Sequence, residues 1–228
     1  MISRPRRVAA SRAGFRVTIS GGESEVRVTA LPQPPGHLLS IEEYSALGED
    51  EHGRYELQEG RLLVSPSPSM DHMIVIARLV VQLDGQLPRG LQVVPDVDVD
   101  LQLAPPDQPG WSRRPDLLIV TDAAAERVRS EGGLARASEV LVAVEVVSPG
   151  SKRTDHVIKR GEYADAGIPR YWIVDLDDPF TLIDCQLAGG LGYQDAGATA
   201  GTFATEVTDA SGAVRFSVRL DLDRLLRR

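Results

Sequence analysis

The sequence predicts an α/β fold, and three observations carry that reading. Residues 140–147, Val-Leu-Val-Ala-Val-Glu-Val-Val, form a continuous apolar, β-branched run, the pattern of a strand buried on both faces of a sheet. Residues 117–120, Leu-Leu-Ile-Val, form a second such run. Helical patterns lie between and around these runs, and the one after Gly150 leaves directly from a strand and ends at Gly167 and Pro169.

Composition sets the outer limits. The 228 residues suffice for one well-buried domain, and no Pro/Gly/Ser linker separates two comparable halves. No apolar run is long enough to cross a bilayer, so no membrane role is expected. The single cysteine, Cys185, excludes an internal disulfide and a cysteine-based metal cluster. Together these features favour a cytoplasmic protein. The formal net charge of -8 argues against a non-specific nucleic-acid coat, because phosphate binding relies on Lys and Arg. It leaves room for a nuclease, whose site must itself be acidic to hold metal.

Residues 1–36 differ from the rest. Arg4, Arg6, Arg7, Arg12 and Arg16 occur there without an acid among the first 16 residues, as in a basic arm, and the apolar core of a secretory signal is missing. The expectation is an N-terminal extension that is disordered or a start-site artefact, with translation starting near Val28, and a single domain over residues 37–228.

Ser40-Ile41-Glu42-Glu43 is a capping box that starts a short helix, which stops at Gly48. Residues 54–57 and 61–64 read as a hairpin turned at Glu59-Gly60, with Glu56 an acid among apolar neighbours. The Ser65-Pro66-Ser67-Pro68-Ser69 loop enters a helix from about Met70 to Leu83 with a broad apolar face. His72 in its first turn reads as a cap or surface residue, with a place beside the site as the alternative.

Residues 91–103 alternate as one half-buried strand, with Asp96, Asp98 and Asp100 on its polar face. An extended strand spaces such acids about 6.5–7 Å apart, too far for one calcium ion to collect all three, although Asp98 could border a metal site. Pro115 opens the strand of residues 117–120 and puts Asp116 just before it. A helix over residues 122–131 follows, with a turn at Gly132-Gly133.

Glu145 interrupts the apolar strand of residues 140–147. A carboxylate there loses several kcal/mol of solvation unless a cation, a metal or hydrogen-bond donors meet it. A structural ion pair to an arginine and a metal ligand are both open. Asp116 and Glu145 occupy similar places in two buried strands, a pairing more specific than either acid alone. Ser148-Pro149-Gly150 breaks the strand, and Ser151 or Thr154 caps a helix running to about Ala166. Asp155, Lys159 and Tyr163 recur every four residues and line one face of it, while Val157, Ile158 and Ala164 are expected to face a core. Beyond Asp175 come short strand and turn signals at 180–187, Gly189-Gly190, Tyr193 and 216–218, and a final helix over 222–226.

Two acids from neighbouring strands and a lysine on the next helix are the parts needed to hydrolyse a phosphodiester. Magnesium prefers carboxylate oxygens and retains several waters, so Asp116 and Glu145 could hold it and leave positions open for a phosphate oxygen and the attacking water. Lys159 could orient that water or offset charge at phosphorus, from a depressed pKa if buried.

With these residues the sequence resembles the PD-(D/E)XK nuclease superfamily and, within it, the Uma-type putative restriction endonuclease family. The resemblance spans residues 38–175. It rests on Tyr55-Glu56-Leu57 with Gly60, the serine-proline loop with His72, Pro115-Asp116, Val144 to Pro149 around Glu145, the Asp155 to Lys159 spacing, Tyr163, and Gly167 to Asp175. It implies a restriction-endonuclease-like core, a mixed β-sheet flanked by helices, with an added N-terminal helix and hairpin. It further implies Asp116 and Glu145 as metal ligands for Mg²⁺ or Mn²⁺, Glu56 as a further catalytic acid, and His72, Asp155 and Tyr163 in support. In the Glu-x-Lys form of the superfamily the lysine would fall at Val147, so the role moves to Lys159 on the next helix. Arg113, Arg114, Lys152, Arg153 and Arg160 would then form a basic rim for the DNA backbone.

The leading expectation is a metal-dependent DNA endonuclease, working alone or as a symmetric homodimer. The alternatives are a catalytically silent nuclease-like domain that binds nucleic acid or protein, and a metal-dependent hydrolase of another phosphoester.

Overall fold

A computed structural model describes residues 36–47, 54–65, 67–209 and 211–226. The expectations for residues 1–35, for the helix stop at Gly48 and for Pro66 lie outside the described residues. Helix α1 (Ile41–Leu47) starts as its capping box requires. Ser40 Oγ accepts from the Glu43 N–H at 3.2 Å, and Glu43 Oε2 accepts from the Ser40 N–H at 3.0 Å. Strands β1 (Arg54–Gln58) and β2 (Arg61–Ser65) form the hairpin, turned by left-handed Glu59 and Gly60. Gly60 is also a packing point, since a Cβ there would lie 2.8 Å from Leu38 Cβ and 2.9 Å from the Leu39 backbone. Helix α2 (Met70–Asp84) is capped by Ser69 and buries Val75, Ile76, Leu79 and Leu83.

The single strand expected over residues 91–103 is two. Strand β3 (Leu91–Pro95) ends at Pro95, Asp96 turns the chain with φ 57°, and β4 (Val99–Asp100) joins a different sheet before Gln102 turns it again with φ 55°. The three acids therefore do not line one strand. Asp96 pairs with Arg54, Asp98 with Arg114, and Asp100 Oδ1 accepts the Gln102 N–H.

Strands β5 (Ser112–Arg113) and β6 (Leu117–Thr121), helix α3 (Asp122–Glu131), and strands β7 (Ala135–Arg136) and β8 (Val140–Val147) follow. The helix after β8 has mixed pitch, a π-helical stretch at Thr154–Lys159 running into α4 (Arg160–Asp165). Val157 is 62% exposed rather than core-facing. The buried face is the polar one, with Asp155, Lys159 and Tyr163. Strands β9 (Arg170–Asp175), β10 (Thr181–Leu187), β11 (Tyr193–Gln194), β12 (Ala198–Ala200), β13 (Thr202–Thr208) and β14 (Arg215–Asp221) complete the described chain, which closes on a short 3₁₀ turn at Leu222–Arg224. No helix among the described residues is long and apolar enough to cross a membrane.

The central sheet is mixed, in the order β11-β10-β9-β8-β6-β3 with β12 on β10. Within this sheet only β8 and β9 pair in parallel, which is why a helical crossover connects them. On one face α2 and the β13–β14 hairpin pack against Leu117, Ile119, Val142, Val144, Val146 and Trp172. On the other, Tyr163 and Ile168 of the crossover pack with Leu118, Ala143, Val147, Tyr171 and Ile173. A smaller sheet, β2-β1-β5-β4-β7, carries Glu56 and Arg113.

Candidate active site

Strands β6 and β8 run antiparallel with Leu117 opposite Val144, so one residue further Asp116 stands across from Glu145. The equivalence of the two acids in the sequence is thus a physical adjacency. Asp116 Oδ2 accepts the Val146 N–H at 2.7 Å, and Asp116 Oδ1 lies 3.0 Å from His72 Nε2. His72, read from sequence as a cap or surface residue, is 7% exposed.

Alternation along β8 puts Glu145 on the face of Ala143 and Val147, beneath the crossover helix. Lys159 Nζ donates to Glu145 Oε1 at 2.7 Å, and Tyr163 OH donates to the same oxygen at 2.9 Å. Lys159 Nζ also lies 3.1 Å from Glu56 Oε1 and 3.9 Å from Asp155 Oδ1. Of the two partners left open for Glu145, the described side chains supply a cation, and it is a lysine rather than an arginine. Asp155 in turn accepts from Ser151 Oγ, and its backbone carbonyl accepts from Tyr171 OH at 2.9 Å.

The electrostatics follow from packing these charges in the interior. Burial pulls the Lys159 pKa down, but the carboxylates of Glu145, Glu56 and Asp155 outweigh it and hold the ammonium above its ordinary range. The expected depressed lysine pKa is therefore reversed. Burial raises Glu145 well above the usual carboxylate range, with Lys159 opposing and the charges of Asp116, Asp155 and Glu56 adding to the rise. Burial raises Asp155 too. Glu56 goes the other way. Its burial is outweighed by the Lys159 and Arg113 cations and by the Arg114 N–H, which together lower it.

Arg113 does not belong to a solvent-facing rim. It is 1% exposed, donates to both oxygens of Glu162 at 2.6 and 2.7 Å, and reaches Glu56 Oε2 at 2.9 Å. Arg114 is engaged by both oxygens of Asp98, so Asp98 faces an arginine and not a metal site. Arg160 pairs with Asp195. Lys152 is exposed but lies between Asp175 and Asp177, and Arg153 is exposed. Glu162 was not singled out from sequence. The available signal was its position three residues after Lys159, on the same side of the helix.

Among the described residues no three His, Cys, Asp or Glu side chains are grouped to enclose an ion. Two carboxylates, Asp116 just before β6 and Glu145 in β8, lie close enough that the charge of Asp116 adds to the rise of Glu145. That set fits magnesium, which is held through one or two carboxylates and keeps its waters, and does not fit a closed zinc cage.

A family model described as "Uma2: Putative restriction endonuclease" matches residues 41–210. Among solved structures, the chain is similar to a putative nuclease belonging to DUF820 from Anabaena variabilis, at 17% identity and a TM-score of 0.58, over 82% of this chain and 97% of that one. At that identity the likeness carries the fold. No curated protein matches the chain.

Proposed function

The chain belongs to the Uma2 family of putative restriction endonucleases, and from that premise we propose that it hydrolyses phosphodiester bonds in DNA with a divalent metal ion. The observation that carries the reading is the convergence of Asp116 just before β6, Glu145 of β8 and Lys159 of the crossover helix on one buried polar centre. Residues 37–228 act as a single nuclease domain in this account.

Asp116 and Glu145 would hold the ion, Mg²⁺ first and Mn²⁺ as its substitute. When bound, the metal polarises a phosphate oxygen and lowers the pKa of the attacking water. Tyr163 and Lys159 both donate to Glu145 Oε1 and fix the orientation of its carboxylate. Because its neighbours keep Lys159 protonated, it serves as a hydrogen-bond donor and a positive charge beside the reacting phosphate, not as a base. Glu56 anchors the lysine, and Arg113 anchors Glu56 through a bond that Glu162 supports from the far side. Arg153 and Lys152 at the start of the helix meet the DNA backbone, a contact that positions the duplex without reading its sequence.

A supercoiled plasmid nicking assay with Mg²⁺, Mn²⁺ or EDTA, run beside a single-stranded substrate, tests the reading. Cutting with metal and none with EDTA is expected. Intact DNA with both metals would turn attention to a binding domain or another phosphoester.

A further inference from the structure

We propose that His72 is a positioning residue that fixes the Asp116 carboxylate for metal binding, an inference that rests on the metal-dependent reading above. His72 comes from the first turn of α2, which packs on the face of the sheet opposite the crossover helix. The turn is itself anchored, because Ser69 Oγ accepts the His72 N–H at 3.2 Å. The side chain is 9% exposed and places Nε2 3.0 Å from Asp116 Oδ1. A carboxylate accepts, so Nε2 carries the hydrogen in this contact.

The second oxygen, Oδ2, accepts the Val146 N–H at 2.7 Å. Asp116 is thus gripped at both oxygens from two directions, by a strand backbone and by a side chain, so the plane of its carboxylate is set. Each carboxylate oxygen has two lone pairs, and a donor on one of them leaves the other directed. Groups that orient a ligating carboxylate affect metal affinity although they never touch the ion.

The other ring nitrogen supports a dedicated contact. His72 Nδ1 is buried and has no hydrogen-bond partner among the described residues. A buried polar atom without a partner is costly, and an apolar side chain at this position would avoid that cost. What the imidazole provides in return is the single bond from Nε2 to Asp116.

The test is Mn²⁺ binding, followed by electron paramagnetic resonance of the free ion, for wild type, Asp116→Ala, His72→Leu and His72→Gln, with thermal unfolding in EDTA to verify the fold. His72→Leu keeps bulk and removes the donor; it should weaken Mn²⁺ about 10-fold or more. His72→Gln places an amide N–H near the Nε2 position and should recover most of the loss. Should His72→Leu fail to fold, His72→Asn, whose shorter amide stops short of Asp116, serves the same comparison. Mn²⁺ binding as tight as wild type in the donor-free variant, alongside loss in Asp116→Ala, would overturn the role of His72 and leave the metal site intact. Absence of Mn²⁺ binding by the wild type would overturn both.

Discussion

Lys159 Nζ and Glu145 Oε1 stand 2.7 Å apart in the protein interior, joining the crossover helix to the strand it leaves. Both side chains are under a tenth exposed, and Lys159 also serves Glu56. Removing this one cation would leave a buried group of acids facing each other. Lys159→Met should cost about 3–5 kcal/mol of stability at neutral pH, the range for breaking a buried ion pair. Urea denaturation in EDTA measures it, and a loss below about 1 kcal/mol, typical of exposed pairs, would contradict the buried arrangement.

Glu145→Gln should do the reverse in metal-free protein. The folded-state pKa of Glu145 is raised, so its contribution to stability is fully present below the ordinary carboxylate range and is lost as pH rises toward the folded value. The amide does not titrate and still accepts from Lys159 and Tyr163. The variant should gain on the wild type as pH rises from 5 to 8. Urea midpoints in EDTA at the two pH values check this, and a constant difference would count against the raised pKa.

Arg113 and Arg153 are predicted to separate structure from binding. Arg113→Met strands the buried Glu56 and the largely buried Glu162, and should cost about 3–5 kcal/mol. Arg153→Ala should leave stability within about 0.5 kcal/mol, as surface changes do. It should weaken DNA binding across sequences and lower the salt slope by about 1. Calorimetry and DNA titrations at several salt concentrations distinguish the two, and the opposite assignment would restore Arg113 to the rim.

Cys185 is fully buried in β10, and burial pushes its thiol up to about 12. It should resist Ellman's reagent in native protein at pH 8 and react once unfolded in urea. Rapid native labelling would contradict its placement in the core.

Much of this architecture was legible because its signals are local. The Ser40–Glu43 box, the Glu59-Gly60 turn and the helix of residues 122–131 are written within a few positions, and each forms where expected. The pairing of Asp116 with Glu145 was legible because two buried strands each carried one acid. The break at Asp96 was not, because a left-handed aspartate has no glycine to announce it. Strand β13 went unread because Phe203 and Val207 are its only fully buried apolar residues among exposed or half-buried neighbours. Arg113 read as surface because its partner Glu162 lies 49 positions away. The direction of the Lys159 pKa depends on three carboxylates that only the fold brings together.

The most direct test of the central claim is plasmid nicking by wild type and Glu145→Gln in Mg²⁺, with both proteins folded to the same extent. Glu145→Gln keeps the shape of the site and removes one of the two charges proposed to hold the ion. Wild type should nick the plasmid only with metal, and the variant should lose that activity. Nicking by Glu145→Gln at the wild-type rate would contradict that claim.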